Sequence, residues 1–198
     1  MRQMGLYAKG SNYRYKYFKS RFVNPTRNVI NQEFSTTGKN KIWFGDITHI
    51  RTHEGNLYLS VFIDLFTRKI VGYSLKSHMR ESLVLESLQT AIKKERPKAG
   101  LIIHTDQGSQ YTSHNFVNLI IENNFVRSNS NRGNPYDNAL MESFFKTFKR
   151  EVLPKRDYKN KKYAKLDIIN FLEVYYNKKR YHSSLGYLTP LEFENLNS

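Results

Sequence analysis

The chain contains no cysteine, so neither a disulfide framework nor a thiolate metal site is open to it. It also has no stretch approaching the roughly 20 apolar residues that a membrane-crossing helix requires. The N-terminal "MRQMGLYAKG" lacks the apolar centre of a secretion signal, and the expected place is the cytoplasm. Acidic residues are scarce, with 17 Asp and Glu against 32 Lys and Arg, which leaves a net charge of +15. Such an imbalance points to a polyanionic partner, most often nucleic acid. The chain does have enough apolar material for a core. Hydrophobic residues make up 39% of its 198 positions, and there are 13 Phe and 14 Tyr, so wholesale disorder is excluded. The length fits one ordinary domain with arms, or at most two small domains.

The positive charge is unevenly placed. Residues 1–41 hold nine Lys and Arg and one acid, Glu33, and residues 144–181 hold twelve Lys and Arg and four acids. Residues 42–143 are nearly neutral, with eleven Lys and Arg against ten acids. A solvated basic surface would account for this, and so would a core that does chemistry between arms that hold phosphates. The expected division is a basic N-terminal arm over 1–41, a core over 42–155 and a helical basic extension over 156–198.

The arm reads as a short helical piece followed by irregular chain. From Ile42 the pattern changes to that of a sheet. "IWFGDITHI" (42–50) is β-branched and aromatic with partial alternation, and "HEGN" (53–56) is a hairpin signal. "LYLSVFIDLF" (57–66) is apolar enough for burial on both faces, and "IVGYSLK" (70–76) completes an antiparallel meander. Leu85, Leu88 and Ile92 recur at helical spacing within residues 80–97, and Pro97 stops that helix. "GLIIHTD" (100–106) is then a strand laid parallel to its neighbour by the helical crossover. A helix over 113–124, a short fifth strand over 125–128, a turn-rich loop over 129–138, an amphipathic helix over 139–153 and a last helix over 165–181 follow. This order predicts a mixed α/β sheet with helices on both faces, in the ribonuclease-H-like arrangement.

Three carboxylates stand out. Asp46 lies within the first strand, Asp106 closes the fourth, and Glu142 lies on the first turns of the amphipathic helix. Two carboxylates on adjacent central strands with a third on a covering helix would repel one another without a cation. Mg²⁺ or Mn²⁺ relieves that conflict, since hard divalent ions take carboxylate oxygens and leave positions for water and phosphate. Each residue alone has a plainer reading. Asp46 can accept hydrogen bonds from a turn, Glu142 can pair with a lysine on its own helix, and Asp64 on the second strand can pair with Arg68 across the turn. Asn138, Glu142, Lys146 and Lys149 fall close to one helix face, while Leu140, Phe144 and Phe148 fall on another.

Five segments, taken in order, resemble a known family. They are "W..DIT.I" (43–50), "YL.VFIDLFTRKIVGY" (58–73), "HTDQGSQYTS" (104–113), "GNPYDNALMESFFKTFKRE" (133–151) and "YNKKRYHSSLGYLTPLEFE" (176–194). The family is the DDE transposases of bacterial insertion sequences, specifically the integrase-like second-frame product of the copy-out, paste-in group. The 35 residues between Asp106 and Glu142 are similar to the interval between the second aspartate and the glutamate in the retroviral-integrase superfamily. The resemblance implies an RNase-H-like integrase catalytic core in which Asp46, Asp106 and Glu142 hold two Mg²⁺ or Mn²⁺ ions when DNA is bound. It implies cleavage at the element's ends and joining of the exposed 3′-OH to another phosphodiester.

Lys149 matches the family's basic residue seven places after the glutamate, and Lys146, Asn138 and Arg132 join it as expected DNA contacts. Asp137 reads as a helix N-cap first and a substrate contact second. Asn177, Arg180 and His182 match the C-terminal signature, where DNA contact and helix docking both remain open, with Arg180 and His182 taken as DNA contacts. Expected partners are the element ends, the target DNA, further copies of this chain on DNA and a first-frame helix-turn-helix protein, with no membrane and with a place at the bacterial nucleoid. His49 stands where Tyr is usual, and "SNSNRG" departs from the usual loop. "MRQMGLYAKG" looks like the tail of an upstream helical DNA-binding region. Two other readings remain: a structure-selective nuclease of the same fold, and a DNA-binding transposase remnant.

Overall fold

A computed structural model of the chain describes residues 26–131, 133–153 and 157–197. The short helix expected near the start, and most of the basic arm, lie outside those residues. The meander predicted from residue 42 is present: β1 (Ile42–Ile50), β2 (Leu57–Asp64) and β3 (Ile70–Lys76) pair antiparallel in turn. β4 (Ile102–Thr105) lies parallel on the other side of β1, and β5 (Val126–Asn129) lies parallel to β4. The sheet order is β3-β2-β1-β4-β5. α1 (Glu81–Glu95) and α2 (His114–Glu122) make the two crossovers that this parallel pairing demands.

The central strands are buried on both faces because their neighbouring side chains serve different layers. Phe44, Val61 and Ile63 join one apolar cluster with Met141, Phe144, Phe145 and Phe148 of α3 (Ala139–Val152). Trp43 and Phe62 point the other way, into a cluster with Val84, Leu88 and Ala91 of α1 and Phe116 and Ile120 of α2. Each such side chain withdrawn from water contributes about 1.5–3 kcal/mol. Gly72 lets α1 lie directly on β3, since a Cβ there would collide with the Ser87 carbonyl oxygen and with Ala91.

The C-terminal segment closes the α3 face. Its helix begins earlier than the pattern predicted, with α4 (Lys161–Asn170) capped by the Asn160 side chain, which accepts from the Tyr163 N–H at 3.0 Å. The predicted continuation is present in large part, since the chain stays helical through residue 178 and stops short of 181. Within it a π-helical stretch, Phe171–Tyr176, brings Phe171, Leu172 and Tyr176 into the same core, and the chain turns after residue 178. A further helix, α5 (Pro190–Leu196), opens with a reciprocal Thr189–Glu192 capping box. Asn177 fixes this segment to the sheet by accepting from the Ile70 N–H at 2.9 Å and donating to the Ile70 carbonyl at 3.0 Å. Lys69 adds ion pairs to Glu95 at 3.0 Å and Glu194 at 2.6 Å. Asp64 corrects a second expectation. Its carboxylate accepts from the Thr67 N–H and hydroxyl at 2.8 and 2.9 Å and from the Asn40 N–H at 2.8 Å, rather than forming an ion pair with Arg68.

Candidate active site

The sheet register sets the positions of Asp46 and Asp106. Phe44 of β1 pairs with His104 of β4 in parallel register. Asp46 lies two residues beyond Phe44, so the pleat sends it toward the side that carries α3, and Asp106 follows directly on the end of β4. Their environments agree. Burial pushes the Asp46 carboxyl up to about 7; the Ile47 N–H, 2.7 Å from its Oδ1, pulls it down, the charge of Asp106 adds to the rise and that of Lys149 opposes it. Asp106 is also raised, first by burial of its carboxyl group, against the Gly108 N–H that donates to its Oδ1 at 2.8 Å. Both charges, after burial, push the enclosed Tyr111 hydroxyl well above its ordinary value, so it stays protonated. Two neighbouring carboxyl groups whose burial resists their ionisation form a site suited to a cation.

The backbone around Asp106 is held on several sides. His104 bridges the Ser128 and Ser130 hydroxyls at 2.9 and 3.0 Å, and burial lowers it to about 4, so the imidazole is neutral. Asn129 donates to the Asp106 carbonyl at 2.9 Å. A cleft of about 440 Å³ opens beside Asp106, lined by Gly108, Asn131, Asn134 and Asn138 among others. Gly108 is required there, because a Cβ would stand 2.9 Å from Asp106 Oδ1.

Asp137 is not the expected N-cap of α3. It lies in a 3₁₀ turn, Pro135–Asn138, and its carboxylate accepts from the Asn131 N–H at 2.8 Å, Asn134 Nδ2 at 2.9 Å and Gln32 Nε2 at 3.1 Å. Burial would raise its carboxyl, but these donors outweigh it and hold it below the usual range. The residue therefore ties the loop before α3 to the segment that enters β1. Asn138 occupies the N-cap position without a side-chain cap bond, and its Oδ1 is buried with no partner among the described residues.

Glu142 stands exposed in the first turn of α3. Lys149 is seven residues on, which is two turns or about 10 Å along the same face. The charge of Lys149 reaches Asp46, so that face of α3 borders the aspartate pair. Among the described residues, however, no three acids or imidazoles stand close enough to form a metal-binding group. Lys146 and Lys149 are exposed, and Arg132 lies outside the described residues. Arg180 and His182 have internal partners. Arg180 Nε donates to Glu151 at 3.2 Å, its guanidinium lies 5.9 Å from the Tyr176 ring centre, and buried His182 stacks edge-on against that ring. Sequence reasoning missed the parts played by Gly108, His104 and Tyr111. All three flank Asp106 within "HTDQGSQY", and the glycine two residues after the aspartate was the available signal.

Two integrase core domain families match the chain, one over residues 36–135 and the other over 126–190. Across the whole chain, 49% of residues are identical to the transposase for insertion sequence element IS904 of Lactococcus lactis, of which 79% is covered. Identity is 36% to transposase InsF for insertion sequence IS3A of Escherichia coli, again over the whole chain and 69% of that protein. Among solved structures, the HTLV-2 integrase catalytic core domain in complex with magnesium, in its dimeric form, has a TM-score of 0.59 at 19% identity, covering 81% of this chain and 99% of that one. A simian T-cell lymphotropic virus intasome chain has a TM-score of 0.61 at 21% identity, covering 86% of this chain and 59% of that one. These structural likenesses establish the RNase-H-like fold.

Proposed function

The chain belongs to the integrase core transposases of bacterial insertion sequences, and from that premise we propose that Asp46, Asp106 and Glu142 form its metal-holding catalytic group. The observation that carries the reading is the pair Asp46, on β1, and Asp106, just past the end of the parallel neighbour β4, with Asp46 raised to about 7 by burial and in part by the charge of Asp106. The donor set is all carboxylate, which fits Mg²⁺ or Mn²⁺, as a magnesium-bound integrase core of the same fold also suggests. When bound, such ions activate water and stabilise the leaving oxygen of a phosphodiester.

The chain's own residues supply placement and charge. Asp46 sits on β1 and Asp106 directly follows the end of β4, and together they fix one side of the reaction centre. Glu142 reaches it from α3, whose first turn favours an acid through the helix dipole. Lys146 and Lys149 hold phosphates along the same face, and Asn138 offers its unpartnered Oδ1 to a nucleotide in the cleft beside Asp106. Water attacks phosphorus and the 3′ oxygen leaves, exposing a 3′-OH. That hydroxyl then attacks a target phosphodiester in the same site, and no covalent link between protein and DNA forms. Two DNA ends must meet for this, so the working unit is more than one copy of the chain on DNA.

Asp106→Asn is expected to abolish divalent-metal-dependent strand cleavage and joining while leaving DNA binding intact, as measured by gel shift beside product analysis. Cleavage retained by the variant would sink the assignment. Cleavage by the wild type without joined products would favour a nuclease of the same fold.

A further inference from the structure

A cavity of about 600 Å³ lies on the flank of α3 next to the Glu142 and Lys146 face, between the segment at Phe34 and the C-terminal turn. Ser143 and Thr147 of α3 line it, one helical position round from Glu142 and Lys146. Arg68 enters it from the β2–β3 turn and Arg180 from the segment after the π-helix. The two guanidinium groups converge. After burial, both lower the His182 imidazole, to about 4, and both act on the buried Tyr176 phenol.

Their charges are not equally matched. Arg180 is paired with Glu151. Among the described residues, the Arg68 guanidinium has no hydrogen bond or ion pair, although burial depresses it. The acid within its reach, Asp64, is already bound to Thr67 and Asn40. The cavity rim carries two large exposed rings, Tyr181 at 66% and Tyr187 at 72% exposure. Tyr187 holds its ring outward from a left-handed backbone, at φ 61° directly after Gly186 at φ 65°. A non-glycine residue in that conformation costs free energy, and such sites tend to mark function.

We propose that this cavity is a second DNA subsite, which takes one nucleotide of an unpaired strand with its phosphate between Arg68 and Arg180 and its flanking bases stacked on Tyr181 and Tyr187. It rests on the reading of this chain as a DNA strand-transfer enzyme. The volume of about 600 Å³ is that of a small-ligand pocket and suits a nucleotide. Cationic grooves flanked by exposed aromatic rings are the recurring means of holding single strands without sequence preference. The position, beside the Glu142 and Lys146 face, would keep a strand leaving the reaction centre apart from its complement.

The test measures binding of a fluorescent single-stranded oligonucleotide across a salt series. It uses the full chain, Arg68→Asn, Tyr187→Asn and Asp106→Asn, with metal-dependent plasmid nicking followed in parallel. Asparagine tolerates the left-handed backbone at both positions, at φ 57° for Arg68 and 61° for Tyr187, so both variants should fold. Each is expected to weaken single-strand binding about fivefold or more. Arg68→Asn alone should lower the slope of log affinity against log salt by about 0.7, as for one lost phosphate contact. Asp106→Asn should bind as the wild type does. Unchanged affinity for the single strand in both folded variants overturns the subsite. If Arg68→Asn fails to fold, Tyr187→Asn decides alone. Weakened binding in a protein that never nicks would keep the subsite and remove the catalytic reading instead.

Discussion

Asp46→Asn should make the metal-free protein more stable at pH 8 and leave it unchanged at pH 4. The folded protein keeps a proton on Asp46 up to about 7, whereas the unfolded chain releases it near 3.8. Between those values the native state binds more protons than the unfolded state, so this group's contribution falls as pH rises and is fully lost above about 7. A rise of about three units corresponds to roughly 4 kcal/mol. Asp46 is half-buried, and the solvent that reaches it reduces this to about 2 kcal/mol. For a chain of this length that is about 4–8 °C in thermal midpoint. The amide carries no charge at either pH, so the variant should exceed the wild type by that amount at pH 8 and match it at pH 4. Adding millimolar Mg²⁺ at pH 8 should raise the wild-type midpoint and leave the variant's little changed. Thermal unfolding followed by circular dichroism measures all of this. A variant no more stable than the wild type at pH 8, or a gain that persists at pH 4, would show that Asp46 does not hold a proton in the folded protein.

Two other substitutions probe the surroundings. Gly108→Ala places a Cβ 2.9 Å from Asp106 Oδ1 and 3.3 Å from Gln110 Oε1, which must displace the carboxylate. Plasmid nicking should fall at least about tenfold with the thermal midpoint within a few degrees of wild type, since a misplaced catalytic group costs far more in rate than in stability. Asn177→Ala strips the Ile70 N–H and carbonyl of their partners in a buried place. It should cost about 3 kcal/mol in denaturant unfolding, and DNA affinity per folded molecule should stay the same.

The sheet was readable because each central strand alternates between two apolar layers. Trp43 and Phe44 lie side by side in the chain but in different clusters, and Phe44 pairs with His104 two residues before the aspartates. α5 was equally readable, since Thr189, Pro190 and Glu192 spell a capping box with proline in the first turn, and only the expected end of helix at residue 181 hid it. The π-helical stretch was not readable, because its offset is set by fitting Phe171, Leu172 and Tyr176 against α3 rather than by any local signal. Long-range polar bonds were likewise out of reach. Asn177 finds Ile70 across 107 residues and Gln32 finds Asp137 across 105, and neither pairing leaves a periodic trace. The face shared by Glu142, Lys146 and Lys149 followed from helical spacing, whereas the distance of Glu142 from the aspartates depends on how the loop before α3 is tied by Asp137.

Glu142 is the exposed member of the acidic trio and comes from a helix rather than the sheet, so its substitution is the sharpest test of the three-carboxylate site. The measurement is Mg²⁺- or Mn²⁺-dependent nicking of supercoiled plasmid by the wild-type chain and by Glu142→Gln, prepared side by side. The wild type should nick, and nicking should disappear in the variant while both retain DNA equally. Equal nicking by the two proteins would contradict the three-carboxylate site, by showing that the reaction does not pass through Glu142.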